Sequence, residues 1–314
     1  MVVSMAAHLS RGDNCSTSPH PSALSPRLKL VLEIDCLDYL SAYLYSPASA
    51  GVVTTVSSDI TSVSYVRSSR YLFWRVTLGM IIANTDPRAQ DAEKAIRTGD
   101  IASLNTLLKT YPELSSCYIG DATEARSLLH ILADWPGNRP NSCETARTLI
   151  TAGADVNASF IGKAHSETPL HWAASNNDVA LIDTLLDHGA DIDAEGGVID
   201  RTALADARAF LQLEAAHRLI ARGASTTLQD LATLGILDHV MSHYKESRPA
   251  EHETDCALWN ACHGGQLATA KFLHEMGGNC HFVPPWDDVT PLGAAERSSA
   301  TDVIEWLREL ESSS

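Results

Sequence analysis

Three glycines set the frame for this chain. Gly153, Gly189 and Gly223 each follow a run rich in leucine and isoleucine and precede an alanine, and successive members stand 36 and 34 residues apart. Self-similarity at a period of about 34 residues is the mark of stacked helical repeats. In such a stack one helix pair is too small to bury its own apolar face, so each unit is stable only against its neighbours. A chain built this way grows by addition of units, and its 314 residues do not require several independent cores.

The clearest unit reads Glu167-Thr-Pro-Leu-His171-Trp-Ala-Ala174, then Leu181 to Leu186, then Gly189-Ala-Asp-Ile-Asp-Ala194. Thr168 is placed to cap the first helix with its side-chain oxygen, and Pro169 suits the first turn, where its missing N–H would have no intrahelical partner. Gly189 comes just past the second helix, where a left-handed residue ends it. Arg126-Ser-Leu-Leu-His130 starts an earlier copy that closes at Gly153, and Arg201-Thr-Ala-Leu-Ala205 starts a later one that closes at Gly223. These units resemble the ankyrin repeat, with its Thr-Pro-Leu-His turn and its Leu-Leu, Gly-Ala-Asp ending. Asp134-Trp-Pro-Gly137, Glu167 to Ser175 and Ala261-Cys-His-Gly-Gly-Gln266 further resemble a microbial branch of that family, which implies a fold and no particular reaction.

Weaker copies extend the array on both sides. Asp91 to Leu108 reads as a degenerate first unit that caps the stack, and Leu228 to Tyr244 as a divergent one lacking the turn motif. Ala257 to Asn279 restores the pattern, and Thr290-Pro-Leu-Gly-Ala-Ala295 with Val303 to Leu310 makes the last unit. The expectation is an all-α ankyrin-repeat solenoid of about seven units, two of them degenerate, occupying residues 87–314. Residues 1–86 have no such period. Their Ser-Pro and Ser-Thr clusters and the serine-rich run from Val52 to Val66 read as a low-complexity, partly disordered extension, with one short amphipathic helix expected from Leu28 to Leu40.

Charge divides the chain at the same place. Residues 1–86 hold six basic and six acidic side chains, so the net charge of −16 belongs entirely to the repeats. Such a surface disfavours nucleic acid and anionic membranes, both of which need clustered Lys and Arg. Seven scattered cysteines do not make a secreted disulfide framework. The start lacks the basic and apolar regions of a secretory signal, and the apolar stretch from Tyr71 to Ala83 is too short to span a bilayer. The expected location is the cytoplasm, with the nucleus as an alternative.

Alignment of the units puts His130, His171 and Trp259 at the fourth position of the turn motif, and Asp134, Ser175 and His263 at the eighth. In the family a histidine at the fourth position ties adjacent turns together, and the resemblance turns the eighth positions toward a concave groove. With Trp135, Trp172, Arg208 and Trp286, the residues Asp134, Ser175 and His263 form the candidate partner-binding set. Tryptophan offers a large apolar face with one donor and is common at binding hot spots. The insertion Asp134 to Ser142 lengthens its repeat, the step from Ser127 to Thr168 being 41 residues against 34 from Thr168 to Thr202.

No nucleotide-binding glycine loop, nucleophile elbow or zincin helix is present. Cys262-His263, Cys280-His281 and Cys256 include zinc-ligand types without the paired spacing of a zinc ribbon. The expectation is therefore a non-catalytic adaptor or regulator that binds a protein or peptide, with no cofactor and no metal. The alternative is a small-molecule enzyme or isomerase in which Asp134, His171 and His263 transfer protons.

Overall fold

The computed structural model describes residues 63–64, 75–76, 80–162, 165–197 and 202–313. The chain divides into two compact units, Met1–Leu78 and Gly79–Ser314. In the first, strands β1 (Val63–Ser64) and β2 (Arg75–Val76) pair antiparallel, with Val63 opposite Val76. The helix expected from Leu28 to Leu40 and most of the expected extension lie outside the described residues.

The second unit opens with a feature that helical periodicity does not anticipate. Strand β3 (Ile81–Ile82) lies parallel to β4 (Tyr118–Gly120), which pairs antiparallel with β5 (Ala125–Ser127). This small sheet frames the first helix pair, α1 (Pro87–Thr98) and α2 (Ile101–Thr110). Six more pairs follow: α3 (Leu128–Ala133) with α4 (Ser142–Thr151), α5 (Pro169–Ser175) with α6 (Val179–Asp187), and α7 (Ala203–Ala209) with α8 (Leu213–Ala221). Then come α9 (Leu228–Thr233) with α10 (Leu237–Glu246), α11 (Glu251–His263) with α12 (Leu267–Glu275), and α13 (Pro291–Arg297) with α14 (Thr301–Ser313). The described residues thus contain the seven helix pairs that the repeat spacing predicts.

Local chemistry explains where the pairs begin and end. Thr202, Thr227 and Thr290 each accept a main-chain N–H in the first turn of the helix they precede, while Asp86, Asp100 and Asp178 do the same with carboxylates. At the other end, Gly189 and Gly223 have φ of +89° and +97°, and a Cβ at either would meet nothing within 4 Å. Glycine is needed there for backbone conformation rather than for space. The loops after these glycines are tied in series: Asn157 donates to the Gly189 carbonyl and accepts from Asp191 N–H, and Asp193 accepts from the Ser225 N–H and hydroxyl.

Stacking makes two layers. The first helices of the pairs pack in one row, α1 to α3 to α5 to α7 to α9 to α11 to α13. Among the second helices α2 packs on α4, α4 on α6, α6 on α8, α10 on α12 and α12 on α14. The buried apolar residues divide at a seam near α9. One cluster runs from Ile82 to Leu234 and a second from Leu228 to Leu307, with Ile236 packed against both. Small residues in the row, Ala173, Ala174, Ala207, Ala232 and Ala261, are fully buried and allow close helix approach. Among the described residues no helix is long and apolar enough to cross a membrane.

Candidate partner-binding site

The row of first helices carries all the singled-out side chains or the loops beside them, and its internal ties decide which of them remain free. His130 begins the second pair wholly buried. Its Nδ1 accepts from the Ser127 N–H at 3.3 Å, which leaves the proton on Nε2 to donate to the Glu167 carbonyl at 2.9 Å in the next unit. Burial holds the ring neutral, with its pKa lowered to about 4. His171 repeats the first half of this arrangement, with Nδ1 3.1 Å from the Thr168 N. At Trp259 an indole replaces the imidazole, and its N–H donates to the Val289 carbonyl at 2.9 Å.

Trp172, one residue beyond His171, is half-buried over this joint. Its ring meets His130 edge-on with centroids 5.0 Å apart and lies 5.6 Å from Phe160, while its N–H donates to Glu167 Oε2 at 2.9 Å. His165 stacks on Phe160 and brings Nδ1 to 3.0 Å from the same carboxylate oxygen. Burial would raise the Glu167 carboxyl, but the His165 and Trp172 donors outweigh it and keep the pKa below the usual range. The same hydrogen bond raises His165. Ser175 donates its hydroxyl back to the His171 carbonyl at 2.9 Å.

Asp134 and Trp135 stand where the insertion leaves α3. Asp134 Oδ2 accepts from Arg97 and Arg126, each at 3.1 Å, so its carboxylate is already engaged. Arg97 also donates to Glu93 at 2.7 Å, with Arg126 3.6 Å from the same oxygen. Arg139 crosses the base of the loop, donating from Nη2 to the Asp134 and Trp135 carbonyls at 3.2 and 3.0 Å. The loop itself is built into the stack. Asn141 donates to the Gly99 carbonyl of the first unit at 2.9 Å, and the Asn138 N–H reaches Asp178 of the third at 2.8 Å. These anchors leave Trp135 standing out, 63% exposed.

The remaining candidates gather in the later units. Arg208 is buried and pairs with buried Asp230 at 3.2 Å, an ion pair that bridges the two apolar clusters. Asp230 also accepts from the Thr227 N–H and hydroxyl at 2.8 and 2.7 Å. His263 is buried, stacked on Trp259 at 5.3 Å, and contacts the Ala209 carbonyl through Nε2 at 3.3 Å. Its Nδ1 is buried without a hydrogen-bond partner, and desolvation lowers its pKa. Trp286 is half-buried and meets Trp259 edge-on at 6.3 Å; beside it Asp287 holds Arg297 through two bonds of 2.6 and 2.9 Å.

The candidates therefore form two groups rather than one patch. Asp134, Trp135, Trp172 and Ser175 belong to the second and third pairs, and Arg208, His263 and Trp286 to the fourth, sixth and seventh. Between α3 and α11 stand α5, α7 and α9, and at helix spacings of about 8–10 Å this puts Asp134 and His263 roughly 30–40 Å apart. Arg208 and His263 face inward, not onto an open surface. Arg97, Arg126 and Arg139 are the site residues that sequence reasoning passed over, since only the fold brings them together. Among the described residues no three His, Cys, Asp or Glu are placed to hold a metal ion. Cys280 Sγ lies 3.4 Å from His274 Nδ1, Cys256 Sγ 3.6 Å from His252 Nε2, and burial pushes the Cys262 thiol up.

Comparison with known proteins bears on the repeats. Residues 129–230 match the family model for ankyrin repeats (3 copies). The chain is 36% identical over 115 residues to the palmitoyltransferase AKR1 of Lachancea kluyveri, covering 35% of this chain and 14% of that protein. It is 38% identical over 84 residues to the palmitoyltransferase Hip14 of Drosophila melanogaster, covering 27% of this chain and 13% of that protein. The chain thus spans about a seventh of the length of these curated relatives.

Proposed function

We propose that this ankyrin-repeat protein is a non-catalytic adaptor or regulator that binds a protein or peptide partner along its row of first helices, in a reducing compartment such as the cytoplasm. The observation that carries this reading is Trp135. A tryptophan 63% exposed, on a loop anchored at both ends to neighbouring units, is a rigid apolar contact of the kind that dominates interface energetics. Half-buried Trp172, in the next unit, continues this surface, while half-buried Trp286 belongs to the separate group in the seventh.

The acid–base alternative gains little from the geometry. Asp134 is bonded to two arginines, His171 is buried at its helix start, and His263 is in a different part of the stack. Palmitoyl transfer, named for the two relatives, is not carried over from matches that cover so little of them.

The test is capture by the immobilised full chain, with a Trp135→Ala, Trp172→Phe double variant beside it. Loss of capture with circular dichroism and cooperative melting retained is the expected result. Capture at wild-type level by the double variant would refute the site. A bound small molecule turned over by the wild type would refute the non-catalytic role.

A further inference from the structure

The repeats carry the whole net charge of −16, yet around the insertion the balance is reversed. Three guanidinium groups, from Arg97, Arg126 and Arg139, face two carboxylates, Glu93 and Asp134. Arg97 and Arg126 share those two carboxylates between them. Arg139 has neither. Its bonds go to two main-chain carbonyls, its Nε is buried without a partner, and among the described residues its Nη1 is not committed. An arginine fork left short of an anionic acceptor, beside two others that are 26% and 33% exposed in their side chains, is a place where a carboxylate gains charge-assisted bonds. Exposed Trp135 belongs to the same loop, its main-chain carbonyl held by Arg139.

We propose that Arg97, Arg126, Arg139 and Trp135 form a recognition site for a linear peptide in which an aspartate or glutamate is followed closely by a large apolar residue. The carboxylate takes the Nη1 donors of Arg139 and the neighbouring guanidinium groups, and the apolar residue covers the Trp135 ring. Charge complementarity supplies the choice of occupant. In the otherwise acidic surroundings an acidic peptide is repelled along most of the surface and accepted where the balance is positive, so the patch fixes both position and register. The site rests on the partner-binding reading given above and names the chemistry of the partner.

The test pans the full chain against a random twelve-residue peptide library and then measures each enriched peptide by titration. Enriched peptides should carry Asp or Glu within two positions of Leu, Phe or Trp, and changing that acid to its amide should weaken binding at least tenfold. Arg139→Gln and Arg126→Gln should remove the preference for acid over amide while Trp135→Ala weakens both alike. Should an arginine variant fail to melt cooperatively, the wild type decides: binding must weaken steadily as salt rises. Enriched peptides without an acid, or an acid-to-amide change without effect, overturn the carboxylate site while leaving a peptide-binding surface in place. No enriched peptide at all overturns both.

Discussion

The Trp259 indole N–H and the Val289 carbonyl, 2.9 Å apart, close the same joint that the His130 Nε2 closes with the Glu167 carbonyl at 2.9 Å. Each acceptor immediately precedes the threonine that starts the next helix of the row, Thr290 in one case and Thr168 in the other. Two chemically different rings hold successive units in register because each presents one N–H at the reach the joint requires. Trp259→Phe keeps a ring but removes the donor, and is expected to cost at least about 1 kcal/mol. Urea unfolding checks this; a variant as stable as the wild type would show that packing alone sustains the joint.

Acid should loosen the opposite end of the array. His130 is neutral and wholly buried with a pKa lowered to about 4 from 6.5. Between those values the unfolded chain binds a proton that the folded chain does not. Stability is therefore full above about pH 6.5, falls as the pH drops toward 4, and loses up to roughly 3 kcal/mol from this group. Melting temperatures at pH 7, 5.5 and 4.5 should fall more steeply for the wild type than for His130→Gln. Parallel slopes would assign the acid sensitivity elsewhere.

Removing one member of the Arg208–Asp230 pair leaves a buried charge without its partner. Arg208→Met is expected to destabilise by about 3–5 kcal/mol, and to act mainly on the seam, since Asp230 keeps its bonds to Thr227. Hydrogen exchange in α7 and α9 would report this; protection unchanged in both helices would contradict it.

At Gly189 and Gly223 the surroundings are open and only the backbone resists a side chain. Alanine at either is expected to cost about 1 kcal/mol from left-handed strain, and asparagine at Gly189 less than alanine. Chemical denaturation of the three variants ranks them. Equal stability for alanine and asparagine would mean that the loop re-forms with a different φ.

Much of this architecture is legible in the sequence, because helix caps and chain-ending glycines are local and recur at a fixed period. The turn at Thr168-Pro169 and the alignment of Trp259 with His130 need only neighbouring residues to be understood. What could not be read depends on residues brought together by stacking. Strands β3, β4 and β5 are two or three residues long and come from Ile81, Tyr118 and Ala125, too short for an alternating pattern. Arg208 is expected to look onto the groove, but it is buried against Asp230 of the next unit, a partner 22 residues away. The insertion announces itself as extra length; that Asn138 and Asn141 fasten it to units on either side is a matter of contacts spanning 40 and 42 residues.

The division of the apolar interior near Ile236 places one half-buried side chain in the service of two clusters, since it packs against both. Truncating it withdraws apolar contacts from each at once, so a single substitution there is felt on both sides of the seam.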